Sequence, residues 1–143
     1  MNDITKSKFF TGGNALFTVS NDKGQHHTYR IRQPKAQANE PAKPFFVSLV
    51  GGQGSGGHFA YLGLLNPQTL DVKLTKKSNF NDEDEAVRVV RWALRKIAFQ
   101  MTLPEGYHVQ HEGKCCCCGK ALTDPNSINL GIGPDCAKRF SMD

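Results

Sequence analysis

The first eighty residues alternate short apolar runs with turn-forming residues, which is the pattern of a β-sheet. Apolar and polar positions alternate within these runs, and β-branched and aromatic residues are frequent in them. Turn-forming residues 21–24 separate the first two runs and favour a hairpin. We predict about five strands, in an antiparallel sheet or a small barrel. The strand segments are 15–19, 27–31, 44–50, 58–65 and 70–75.

The apolar period changes after residue 80 and becomes helical. Asn81 can cap a helix, and the acidic residues 82–84 fill a first turn, where the helix dipole favours negative charge. Residues 103–106, with the sequence LPEG, end the pattern. We therefore predict one long helix over 82–101, packed on the sheet, and an α+β fold. Its apolar stripe consists of Val87, Val90, Leu94, Ile97, Ala98 and Met101.

Two connections are rich in proline or glycine. Residues 34–44 contain three prolines and almost no large apolar side chain, as is typical of a surface loop. Residues 51–57, GGQGSGG, invite comparison with a phosphate-binding loop. That motif needs a Lys-Ser/Thr pair and a following helix, and neither is present. We expect 51–57 to be a flexible connection between two strands.

All five cysteines lie between residues 115 and 136, and their spacing indicates a metal site. Cys115 and Cys118 are three positions apart and precede Gly119, which is the arrangement of a zinc knuckle. Cys136 follows GIGPD, where Pro134 can open a short helix. Such a combination is typical of treble-clef zinc modules. We predict one structural Zn²⁺ in a C-terminal module, 107–143, attached to a β-rich domain, 1–106.

A structural zinc ion uses four protein ligands, and three cysteines leave one position to fill. His111, four residues before Cys115, is the favoured fourth ligand; His108, Cys116 and Cys117 are the alternatives. Three thiolates leave Zn²⁺ with net negative charge, which makes it a poor Lewis acid. No nucleophile–base pair or carboxylate dyad stands out elsewhere. We therefore expect a protein that is not an enzyme and takes no small-molecule substrate.

The segment HEGKCCCCGKALTDPNSINLGIGPDCAKRF resembles the small zinc-binding domain of DUF6011 type that recurs in phage and mobile-element proteins. The resemblance extends from His111 to Cys136 and covers the histidine, the CxxCG pair and the GIGPxC end. It implies His111 as the fourth ligand and places Cys116 and Cys117 at variable positions. It also implies a phage or plasmid origin, but it brings no known activity. The preceding β-rich segment is more loosely similar to regions that accompany this domain.

The net charge of +5 is concentrated in the N-terminal part. Residues 1–80 carry ten basic and four acidic side chains, whereas residues 103–143 carry four and five. Arg30 and Arg32 share one face of a strand, which Lys73 can extend, and Phe59 and Tyr61 also belong to the sheet. Basic sheets with aromatic side chains bind single strands in OB-like folds. The candidate contacts are Arg30, Arg32, Lys73, Lys76, Lys77, Arg88, Arg91 and Arg95.

These observations favour a zinc-binding protein that binds nucleic acid. The alternative is an inhibitor or adaptor that binds a host enzyme or defence complex. No segment reaches the roughly 20 apolar residues that span a bilayer, so we expect no membrane partner. The N-terminal residues lack the apolar core of a signal peptide, and the expected location is the cytoplasm, of the host cell if phage-encoded.

Overall fold

The computed structural model describes residues 3–51 and 58–140, so the glycine-rich connection lies, apart from Gly51, outside the described residues. No helix in these ranges combines the length and apolar character required to cross a membrane. The helices are a 3₁₀ helix (Ser7–Thr11), α1 (Glu85–Ala98), α2 (Pro125–Leu130) and α3 (Pro134–Phe140). The strands are β1 (Asn14–Asn21), β2 (His26–Arg32), β3 (Phe45–Gly51), β4 (His58–Leu65), β5 (Val72–Lys73) and β6 (Tyr107–His111).

The six strands form one antiparallel sheet in the order β5-β4-β3-β2-β1-β6. The predicted antiparallel sheet and α+β character are thus confirmed, with six strands where about five were expected. The additional strand, β6, pairs with β1, with Val109 opposite Val19. Its residues, 107–111, were assigned from the sequence to the separate C-terminal module. In the structure these first five residues of the predicted module belong to the sheet.

The sheet has one covered face and one exposed face because successive side chains in a strand point in opposite directions. Phe17, Tyr29 and Val47 on the covered face are completely buried. They form the core together with apolar side chains of α1 and of the 3₁₀ helix. Arg30 and Arg32 alternate with the buried residues of β2 and therefore lie on the other face. We call this other side the open face.

Helix α1 is shorter than predicted, spanning 14 residues instead of residues 82–101. Its N-cap is Asp84, not Asn81, and the Asp84 carboxylate accepts a hydrogen bond from the Asn81 N–H at 2.8 Å. The Tyr29 hydroxyl donates to the Ala86 carbonyl at 2.7 Å and so fixes the first turn to the covered face. Met101, which the apolar stripe included, lies beyond the helix and is 50% exposed.

Candidate metal centre and basic sheet face

The zinc-knuckle segment forms a tight turn of its own. Cys115 N–H donates to the Lys120 carbonyl at 2.8 Å, and Gly119 N–H donates to the Cys115 carbonyl at 2.9 Å. Gly119 has φ of 79°, a left-handed conformation that glycine adopts without steric cost. A Cβ at this position would lie 2.7 Å from the side-chain nitrogen of Asn14. The glycine therefore permits both the turn and its close approach to β1.

Two short helices then return the chain to the knuckle. Asp124 caps α2 by accepting a hydrogen bond from Ser127 N–H at 3.2 Å. The helix ends at Gly131, with φ of 75°, where a Cβ would lie 2.7 Å from the ring of Phe9. Helix α3 follows at once and carries Cys136 in its first turn. Local turn chemistry thus brings a distant cysteine beside the CxxC pair.

The thiols of Cys115, Cys118 and Cys136 form a compact group. Their sulfur atoms all lie within 4.8 Å of one another. Sulfur atoms around a tetrahedral Zn²⁺ are about 3.8 Å apart, because a Zn–S bond is about 2.3 Å long. Cys115 and Cys136 are buried, whereas Cys118 is exposed. The structure confirms that these three predicted ligands come together in a group that could hold a metal ion.

The surroundings lower the pKa of one thiol in this group. Burial opposes ionisation of Cys115, but backbone N–H groups of Cys118, Gly133 and Cys117 outweigh it and lower its pKa. The N–H of Gly133 lies 3.3 Å from the Cys115 sulfur. Burial raises the pKa of Cys136, although Arg139 donates a hydrogen bond to its sulfur at 3.2 Å. A divalent cation would favour the thiolate form of all three.

His111, the predicted fourth ligand, is not part of the group. Its Nε2 lies 2.6 Å from the Ile128 carbonyl oxygen, and its Nδ1 accepts a hydrogen bond from Gly113 N–H at 2.9 Å. These contacts assign a proton to Nε2, because the carbonyl can only accept. The ring also stacks on Phe9, with centroids 5.7 Å apart. Through Nε2, His111 thus links β6 to α2, and through Nδ1 it holds the loop that follows β6.

His108, the first alternative for the fourth ligand, contacts a different part of the protein. Its Nε2 lies 3.0 Å from an Asp22 carboxylate oxygen at the far end of β1. His108 is thus placed to interact with the hairpin and not with the thiols.

Cys116 has a different role from the one that its variable position implied. It is completely buried, and burial raises the pKa of its thiol. Its N–H donates to Gly131 O at 2.9 Å, and its carbonyl accepts from Asn14 N–H at 2.7 Å. Its sulfur would lie 2.7 Å from a Cβ placed on Gly12. Cys116 therefore joins the knuckle to the body, a role that four consecutive cysteines do not reveal in sequence.

The three thiols lie in the wall of an open cleft of about 690 Å³. Both cationic and anionic side chains line it. They are Lys120, Asp124, Asp135 and Arg139. A metal ion held by the three sulfurs would therefore have access to this cleft.

The open face of the sheet carries cations and aromatic rings in neighbouring rows. One row across the strands comprises Asn14, Arg32, Phe46, Leu64 and Lys73. The predicted extension of the arginine face by Lys73 is thus found in the strand register. In the next row Arg30 pairs with Ser48, which pairs with Tyr61.

Arg30 is in contact with an exposed aromatic ring of the open face. Its guanidinium lies 4.8 Å from the ring centroid of Phe59, which is 53% exposed. Burial, and then the charge of Arg32, lowers the pKa of Arg30. Two cations are therefore held close together beside an accessible ring.

The remaining predicted basic contacts do not join this surface. Arg91 donates to the Val72 carbonyl at 3.1 Å and to Asp82 at 2.8 Å, so its guanidinium attaches α1 to β5. Arg88 and Arg95 belong to the same helix, on the covered side of the sheet. Lys76 and Lys77 are exposed in a turn after β5. The eight basic residues therefore do not form one continuous face.

Comparison with known proteins finds a match for the C-terminal segment alone. Residues 108–141 match a family described as "Family of unknown function (DUF6011)". The match begins within β6 and includes all three grouped cysteines. No curated protein matches the chain. No solved structure matches it either.

Proposed function

We propose that this protein binds single-stranded nucleic acid on the open face and uses one Zn²⁺ to hold its C-terminal segment in place. The contact of Arg30 with the exposed Phe59 ring, beside Arg32, is the observation that carries the proposal. Protein–nucleic acid affinity depends largely on cations that neutralise phosphates. Exposed aromatic rings add stacking surface for unpaired bases, which a duplex does not offer.

Zinc contributes to this surface indirectly. The ligands are Cys115, Cys118 and Cys136. The knuckle accepts a hydrogen bond from the N–H of Asn14, which lies at the β1 end of the row that contains Arg32. A treble-clef arrangement is part of this proposal. So are a phage or plasmid origin and action in the host cytoplasm, which rest on the resemblance alone. The role needs no catalysis, whereas binding to a host protein stays an untested alternative.

Fluorescence anisotropy of labelled single strands and duplexes, over a series of salt concentrations, tests the proposal. Three phosphate contacts, from Arg30, Arg32 and Lys73, predict a slope of log K against log salt of about −2. Phe59→Ala should cost about 1–3 kcal/mol of binding free energy for a stacked base. Arg30→Gln should weaken binding, and Arg95→Gln on the opposite side is the matched control.

Two results would contradict this assignment. Absence of binding at low salt would exclude the nucleic-acid function, and capture of a host protein would then favour the adaptor. Equal losses for Arg30→Gln and Arg95→Gln would show that the open face is not the site.

A further inference from the structure

The metal group differs from a closed structural site in its access to solvent. Its three sulfurs line the cleft of about 690 Å³, and Cys118 is exposed. Tetrahedral coordination leaves one position besides the three thiolates. The direction of that position decides whether the centre is closed by the protein or accessible from outside.

Three of the side chains that could close the site are held by other contacts. His111 uses both ring nitrogens, toward Ile128 and Gly113. Cys116 is buried against Gly12 on the body side of the knuckle. Asp124 caps α2 through its carboxylate. Recruiting any of them to the metal would break a hydrogen bond or expose a buried side chain.

We propose that the fourth coordination position faces the cleft and accepts a neutral nitrogen donor of imidazole type from outside the chain. Thiolate-bound Zn²⁺ accepts imidazole readily. The inference rests on the proposed metal function and goes beyond it by naming what the metal can bind. When no such donor is present, water occupies the fourth coordination position.

The charges in the cleft favour a neutral donor over an anion. Zn²⁺ with three thiolates carries one net negative charge. Among the charged lining residues, Lys120 and Arg139 offset Asp124 and Asp135. The net charge of the metal, its three thiolates and the cleft therefore remains negative, which disfavours binding of an anion from outside.

Cobalt substitution gives a direct optical test on the full chain. Co²⁺ is loaded under anaerobic, reducing conditions, and its d–d absorption is followed during titration with imidazole or azide. We expect a saturable shift with imidazole, no shift with azide over the same concentrations, and no Co²⁺ in the filtrate. A shift produced equally by azide would overturn the neutral-donor assignment.

An unchanged spectrum with both probes would overturn the open position, and so would release of Co²⁺ by imidazole. If the spectrum does not change, the variants His111→Gln, Cys117→Ser and Asp135→Asn identify the internal ligand, because removing that ligand would make the Co²⁺ spectrum sensitive to imidazole. We expect all three variants to show the same spectral shift with imidazole as the unsubstituted protein. Failure to bind one metal per chain would instead refute the proposed metal function itself. The unsubstituted protein decides the main question even if a variant fails to fold.

Discussion

Replacing Cys116 by serine separates a packing thiol from a metal ligand. Cys116 is completely buried, and its sulfur lies so near Gly12 that a Cβ on that glycine would be 2.7 Å from it. Serine keeps the approximate size but brings a hydroxyl into an apolar site. A buried hydroxyl without a hydrogen-bond partner lowers the free energy of unfolding by about 1–3 kcal/mol in mutational data. We expect the free energy of unfolding to fall by that amount.

Urea unfolding in the presence and in the absence of Zn²⁺, combined with metal analysis of the folded protein, measures both properties. Cys116→Ser should unfold at lower urea with an unchanged slope and should still bind one Zn²⁺. Cys117→Ser is the matched control, because the Cys117 thiol is next in the chain but only partly buried. Its free energy of unfolding should stay within about 0.5 kcal/mol of the unsubstituted value.

The result that refutes this reasoning is loss of the bound metal by Cys116→Ser with unchanged stability of the metal-free protein. Cys116 would then be a ligand and not a link between knuckle and body. Equal stabilities of the two serine variants would instead contradict the burial argument.

Three further predictions follow from the same contacts. Cys118→Ser should lose the bound Zn²⁺, as measured by metal analysis, because two thiolates alone bind it weakly. Tyr29→Phe should lower the free energy of unfolding by about 0.5–1.5 kcal/mol in urea, since it removes the buried hydrogen bond from the Tyr29 hydroxyl to the Ala86 carbonyl. Tyr107→Phe is the control, because Tyr107 is 42% exposed. Lowering the pH should release Zn²⁺ to a colorimetric indicator, because protonation of the thiolates competes with the metal.

The sheet could be predicted from sequence wherever burial imposes a period of two. In β1 and β2 one face is buried, so apolar and polar residues alternate visibly. Strand β6 escaped the prediction because YHVQH has a single aliphatic residue, Val109, and lies next to the cysteine motif. Its pairing with β1 joins segments about ninety residues apart, and no local pattern encodes such a contact.

The thiol group could be predicted because its geometry is mostly local. The CxxCG spacing fixes the knuckle, and the Gly-Pro sequence before Cys136 starts the helix that supplies the third sulfur. His111 has the spacing of a ligand, but a histidine ring hydrogen-bonds a carbonyl as readily as it binds metal. Only the position of Ile128 O reveals which of these His111 does. Cys116 cannot be distinguished from its neighbours for the same reason: burial depends on the body against which it packs.

The contacts of Cys116 and Asn14 explain how a metal site can support a surface that it does not touch. Asn14 begins β1, pairs with Arg32 across the strands, and donates its N–H to the Cys116 carbonyl at 2.7 Å. Its side-chain nitrogen lies close to Gly119, the turn residue of the knuckle, and would be 2.7 Å from a Cβ at that position. A knuckle that loosens without metal therefore releases one end of the row that carries Arg32. In the proposed function, zinc stabilises the nucleic-acid face through the β1 backbone, without contributing a contact of its own.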